Sequence, residues 1–234
     1  LTKLILFFQT NSSMNFITSY VSGGRIGKYL SETDPFPENR VKFYGAQIAL
    51  AIQYLHDKKI IYRDLKLDNI FIDELGYLKL DNFELALKDT GVIANKSLSG
   101  TAEYLAPEMI IGKEYDKNVD WWQFGIVMYE MLCGITPFYD DNVDTVLENI
   151  VKGNFTFPNS IKLSNNAKDL INFIIMTLHK ELNKAIPQQI NNSPELDQTN
   201  QMLMLTNFAQ NFARENKSII SDIFYGLIGS TMQC

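Results

Sequence analysis

The sequence predicts an α+β fold, mainly α-helical, with a pair of short strands at its start and a helical tail at its end. Three observations predict it. Between residues 37 and 56 the apolar side chains Val41, Tyr44, Ile48, Ala51, Ile52 and Leu55 recur at spacings of three and four, as on one buried face of a helix. Residues 120–132 are almost continuously apolar, as in a helix covered on most sides. The strand-like runs, by contrast, are short and separated by turn residues.

In chain order, Leu4–Gln9 and residues 14–21 read as two strands around the turn Thr10-Asn11-Ser12-Ser13, and Gly23-Gly24 breaks the pattern. The helix over 37–56 follows. Ile70-Phe71-Ile72 and Tyr77-Leu78-Lys79-Leu80 flank Asp73-Glu74-Leu75-Gly76 as two small strands around a turn. Helices are predicted over 120–132, 144–152 and 165–182, the last two with polar residues at cap positions. Residues 187–201, rich in Gln, Asn, Pro and Ser, read as a long loop, with a helix over 202–214 and a strand over 219–228 beyond it.

Composition narrows the function classes. Of 234 residues, 46% are apolar, enough for a substantial core. A net charge of -6 without any basic block excludes a nucleic-acid surface and points to protein partners. No apolar run approaches the ~20 residues that cross a bilayer. Two cysteines, Cys133 within an apolar stretch and Cys234 at the last position, cannot build a disulfide framework, which suits a reducing, cytoplasmic setting. The chain starts in a strand-like run without an initiating methionine, so a fragment or truncated gene product is expected.

The chemistry lies in three motifs: Tyr62-Arg63-Asp64-Leu65-Lys66-Leu67-Asp68-Asn69, Gly100-Thr101-Ala102-Glu103-Tyr104-Leu105-Ala106-Pro107-Glu108, and Asp120-Trp121-Trp122-Gln123-Phe124-Gly125. Together they resemble the catalytic loop, the end of the activation segment and the start of the buried helix of protein kinases. The Tyr before Arg63, the Trp pair and Gly134-Ile135-Thr136-Pro137-Phe138 look like the AGC serine/threonine group, close to its protein kinase B branch. Over residues 1–172 the resemblance implies a kinase-like C-lobe with a residual two-strand piece of N-lobe. It implies ATP and Mg2+ as cofactors and protein Ser/Thr as acceptor.

Carried over position by position, the resemblance makes Asp64 the catalytic base, Lys66 the cation facing the transferred phosphoryl, and Thr101 the brace for both. Asn69 becomes a magnesium ligand. Thr18 takes the gatekeeper position, and backbone groups of Ser19 and Val21 face the adenine edge. Asp68 and Glu130 attract basic substrate residues, Ser97 is the activation-loop phosphosite that pairs with Arg63, and Glu108 and Asp120 are structural anchors.

The sequence also departs from that pattern. A kinase needs a glycine-rich loop, a strand lysine and a helix glutamate, and Gly23, Gly24 and Gly27 follow the second strand rather than forming such a loop. Asn82-Phe83-Glu84 stands where the family has its metal-binding Asp-Phe-Gly, which makes Asn82 a degenerate ligand and sets Asp81 one residue early on an extended segment. A carboxylate about 2 Å from magnesium at an effective dielectric of ~20 contributes roughly 8 kcal/mol before desolvation. If ~3 kcal/mol of that is felt at the transition state, losing it slows transfer more than ~100-fold. Arg25 replaces an acidic group, and no arginine follows the late helix to pair with Glu108.

Residues 173–234 show a second resemblance. Residues 173–183, Ser218-Ile219-Ile220-Ser221-Asp222-Ile223-Phe224-Tyr225-Gly226 and Ser230-Thr231-Met232-Gln233-Cys234 look like an internal piece of the ubiquitin-specific protease family, with Cys234 matching a first zinc ligand. No nucleophile accompanies them, and one cysteine does not make a zinc site. Three functions are therefore expected to compete: a kinase of reduced or no activity, a pseudokinase that binds partners, and a non-functional fusion product.

Overall fold

The computed structural model describes residues 1–32, 35–91, 93 and 100–184. Strands β1 (Leu4–Gln9) and β2 (Met14–Thr18) pair antiparallel, with Phe7 opposite Phe16 and an irregularity between Leu4 and Leu6. Nearly every side chain of this hairpin is exposed, including Ile5, Phe7, Phe8, Met14 and Phe16. It meets the helical part through Thr2, whose N–H donates to the carbonyl of Leu80 at 2.9 Å. Strand β2 stops at Thr18, three residues before the expected end.

Helix α1 (Ile26–Glu32) has no counterpart in the sequence reading. It is only seven residues long and anchors through Ile26 and Leu30, too few apolar positions to set a period. A Cβ at Gly23, just ahead of it, would lie 2.3 Å from the carbonyl oxygen of Ile72, so only glycine lets the backbone pass there.

Helix α2 (Glu38–Asp57) carries the predicted stripe, with Val41, Ile48, Ile52 and Leu55 buried. Short strand β3 (Ile60–Ile61) pairs with β6 (Leu87–Lys88), and β4 (Ile70–Ile72) pairs with β5 (Leu78–Leu80), both antiparallel. Helix α3 (Pro107–Ile110) starts on a proline, which suits a first turn whose N–H groups lack partners.

Helix α4 (Asn118–Cys133) is the centre of the core, buried on almost every side and packed against α2 and α6 (Asn165–Lys184). Gly134 caps it at φ 78°, and Trp122 stacks on Phe138 with ring centroids 5.9 Å apart. Helix α5 (Val143–Lys152) is N-capped by Asn142, whose side-chain oxygen accepts the N–H of Asp144 at 2.8 Å.

Helix α6 runs unbroken through residue 172, so the expected domain boundary falls inside a helix that seats Ile171, Ile174 and Ile175 in the core. The chain divides into two units, Leu1–Pro187 and Gln188–Cys234. The second unit, with the predicted elements over 187–201, 202–214 and 219–228 and most of the protease-like segments, lies outside the described residues.

Candidate active site

The loop over residues 62–69, between β3 and β4, is held from beneath by α4. Asp120, fully buried in the first turn of that helix, accepts the N–H of Tyr62 at 2.9 Å, the N–H of Arg63 at 2.7 Å and an interaction from His56 Nε2 at 2.7 Å. One turn on, Gln123 accepts the N–H of Leu65 at 2.9 Å and donates to the carbonyl of Arg63 at 2.9 Å. These bonds hold Arg63 at φ 67°, an uncommon backbone region that persists only where its surroundings impose it. Leu65 and Leu67 point into the core, and Asp64, Lys66 and Asp68 take the alternate positions.

Asp64 is 5% exposed, and its carboxylate is tightly surrounded. Asn69 Nδ2 donates to it at 2.7 Å, Asn82 Nδ2 donates at 3.2 Å, and Lys66 Nζ stands 3.4 Å away. Lys66 also donates to the Thr101 hydroxyl at 2.9 Å. Asp64, Lys66, Thr101, Asn69 and Asn82 are therefore brought together, from a loop, the segment after β5 and the segment before α3.

The segment 81–84 corrects one expectation. It is not extended: Asn82 sits at φ 54°, a left-handed conformation that asparagine tolerates better than most residues. Asp81 consequently turns toward the start of the chain, where its carboxylate accepts the Thr2 hydroxyl at 2.5 Å, while its carbonyl accepts the Tyr62 hydroxyl. Glu84 is exposed.

A second group of acids lines the same side. Tyr104 donates its hydroxyl to Glu130 at 2.5 Å, and Thr136 donates to Glu103 at 2.5 Å. Burial, then the charges of Glu103 and Asp68, push the Glu130 carboxyl up to about 7 against the hydrogen bond from Tyr104. Burial and Glu130 also raise the Tyr104 hydroxyl. Glu103 and Gln123 escaped the sequence reading; both stand within the quoted motifs, and only their partners across the fold mark them.

The remaining positions are more dispersed. Arg63 reaches Tyr115, donating to its hydroxyl at 2.6 Å with the guanidinium 5.9 Å from the ring centroid. Ser97 lies outside the described residues. Glu108 is buried with Oε2 unbonded among the described residues, and burial pushes its carboxyl up to about 7. Thr18 ends β2 on an exposed edge. Ser19 N–H donates to Lys3 at 2.8 Å, and the Val21 carbonyl accepts from Gly24 at 3.2 Å. Arg25 bridges to Phe71 and sits 5.9 Å from its ring centroid.

The donor set fits magnesium poorly. Among the described residues no three His, Cys, Asp or Glu side chains gather for a metal. Among the described residues the carboxylate bonded to both Asn69 and Asn82 is that of Asp64, already engaged by two amides and a lysine, whereas magnesium is ordinarily held through one or two carboxylates.

The family model described as protein kinase domain matches residues 1–193, which carries it past 172 and through residues 173–183. Human RAC-beta serine/threonine-protein kinase is 41% identical over 172 residues, 73% of this chain and 35% of that protein. The RAC serine/threonine-protein kinase of Drosophila melanogaster is 43% identical over 172 residues, 73% of this chain and 28% of that protein. Type 3 cAMP-dependent protein kinase of Saccharomyces cerevisiae is 42% identical over 151 residues, 64% and 37% of the two chains. The chain spans about a third of the length of the curated relatives it matches.

Proposed function

This chain belongs to the protein kinase family, on its serine/threonine side, and from that premise we propose that it recognises basic Ser/Thr-containing protein segments and transfers phosphate to them poorly or not at all. The observation that carries the reading is the sharing of one segment by two tasks. Thr101 holds Lys66 beside Asp64, and three residues later Tyr104 orients Glu130 next to Glu103 and Asp68. A cationic side chain seated among those carboxylates would bring a neighbouring hydroxyl toward Asp64.

The family uses ATP and Mg2+ in general. At this site the nucleotide edge would be met by the Ser19 carbonyl and the Val21 N–H, since the Ser19 N–H and Val21 carbonyl bond within the chain. Neutral Asn82 and acidic Glu84 withhold the charge and space that phosphates and their metal need. A phosphate on Ser97 would have Arg63 as its partner. The membrane plays no part in this reading, and no helix among the described residues is long and apolar enough to cross one.

The test is equilibrium binding of an arginine-rich serine peptide, paired with radiolabel transfer from ATP. The reading expects binding that Glu130→Gln weakens, with transfer at least ~100-fold below that of an intact kinase. Absence of peptide binding would refute it, as would rapid transfer abolished by Asp64→Ala.

A further inference from the structure

Asn82 stands where two acceptor oxygens from the same loop converge. Its Nδ2 lies 3.2 Å from Asp64 Oδ2 and 3.4 Å from Asn69 Oδ1. Turning the amide over would set Asn82 Oδ1 against a carboxylate oxygen with no proton between them, so chemistry decides which end faces Asp64. Asn69 is oriented by the same logic. Its own Nδ2 donates to both the carbonyl and the carboxylate of Asp64 at 2.7 Å, which leaves its Oδ1 turned toward Asn82.

Burial makes this arrangement matter. Asp64 and Asn69 are 5% and 6% exposed, so acceptors left facing one another would repel in a medium that screens poorly, whereas Asn82 is exposed and closes the pair from outside. The left-handed backbone at residue 82 aims the amide, and the Tyr62 hydroxyl pins the preceding carbonyl.

We propose that the Asn82 side-chain amide takes the place of a divalent cation, tying Asp64 to Asn69 through its two N–H bonds so that the loop is held in register without a metal. The inference rests on the reading of Asp64 and Asn69 as the centre of a kinase-type site. Asn82 is then a positioning residue, and its role is specific: an amide bridges two acceptors on its own, while a carboxylate at the same position repels Asp64 until a cation enters.

Thermal unfolding of the whole chain in chelator and in saturating magnesium or manganese chloride separates these cases, without nucleotide. The natural chain should unfold at the same temperature in both. Asn82→Asp should unfold at least about 3 °C lower in chelator and recover when metal is added. Asn82→Ala should lose stability that metal does not restore. A metal-induced rise in the natural chain equal to that of Asn82→Asp overturns the proposal, and so does an Asn82→Asp midpoint unchanged in chelator. Should Asn82→Asp fail to fold, manganese titration of the natural chain followed by electron paramagnetic resonance decides instead: only millimolar or weaker binding is expected, and a micromolar site overturns the proposal. Peptide binding measured on the same proteins keeps the two readings apart, since its loss would strike the functional reading and leave the metal result standing.

Discussion

Glu108 and Glu130 are carboxylates that the fold pushes up to about 7, each chiefly by burial, and the consequences differ. Glu108 has one oxygen without a partner among the described residues, with Asp116 adding repulsion. Lys113, five residues on, has its Nζ unbonded among the described residues as well. The folded carboxyl binds its proton more tightly than the unfolded one, whose value is 4.5. Stability is therefore full below about 4.5 and is lost as pH rises through about 7, by ~3 kcal/mol in all. Urea unfolding from pH ~5 to ~8 should show the natural chain weakening against Glu108→Gln by that order; parallel curves would contradict it. Glu130 has the opposite use. A cationic peptide needs it ionised, so affinity for an arginine-rich peptide should rise about tenfold between pH ~6 and ~8, and Glu130→Gln should bind weakly with no such slope.

At the scale of elements, the contacts of α4 distinguish its glycine from that of α2. A Cβ at Gly125 would meet Ile174 Cγ2 at 2.9 Å and Ile175 Cγ1 at 3.0 Å, branched side chains of α6 with little room to move. A Cβ at Gly45 would meet Met128 Sδ at 2.6 Å, the far end of a flexible thioether. Alanine improves helix propensity by up to ~1 kcal/mol at either place, but overpacking costs about 1–3 kcal/mol where neighbours cannot yield. Gly125→Ala should accordingly lose about 1 kcal/mol in chemical denaturation, and Gly45→Ala less; the reverse order would mean that Ile174 and Ile175 yield more readily than Met128. The hairpin β1–β2 tells a different story, because its alternating and its intervening side chains are alike exposed, so no face of it contributes to the core.

For the whole molecule, the end of the first unit decides which shortened chain survives. Ile174 and Ile175 are buried beneath α4, and a chain stopped at 172 removes both, a loss of roughly 2–5 kcal/mol for each large apolar side chain taken from a core. A chain stopped at Pro187 removes neither. Thermal unfolding should find a cooperative transition in the 1–187 chain and the 1–172 chain largely unfolded at room temperature. A cooperative transition in the 1–172 chain would show that the part of α6 after residue 172 is dispensable.

Much of this was legible in the residues. The helices α2, α4, α5 and α6 follow from apolar spacing and capping residues, which act over one or two turns and so are written locally. The grouping of Asp64, Lys66, Asn69 and Thr101 was implied by the resemblance of three ordered motifs to those of protein kinases, and the described residues do lie together. Helix α1 was not legible, since two apolar anchors define no period and the passage of Gly23 over Ile72 is a long-range fact. The missing arginine opposite Glu108 and the anchoring role of Asp120 were foreseen, but the residues alone could not disclose which backbone groups Asp120 and Gln123 hold, or that Asn82 turns its amide onto Asp64. Local order sets what each segment prefers to be; burial, charge pairing and the direction of a side chain depend on which segments meet, and only the closed fold decides that.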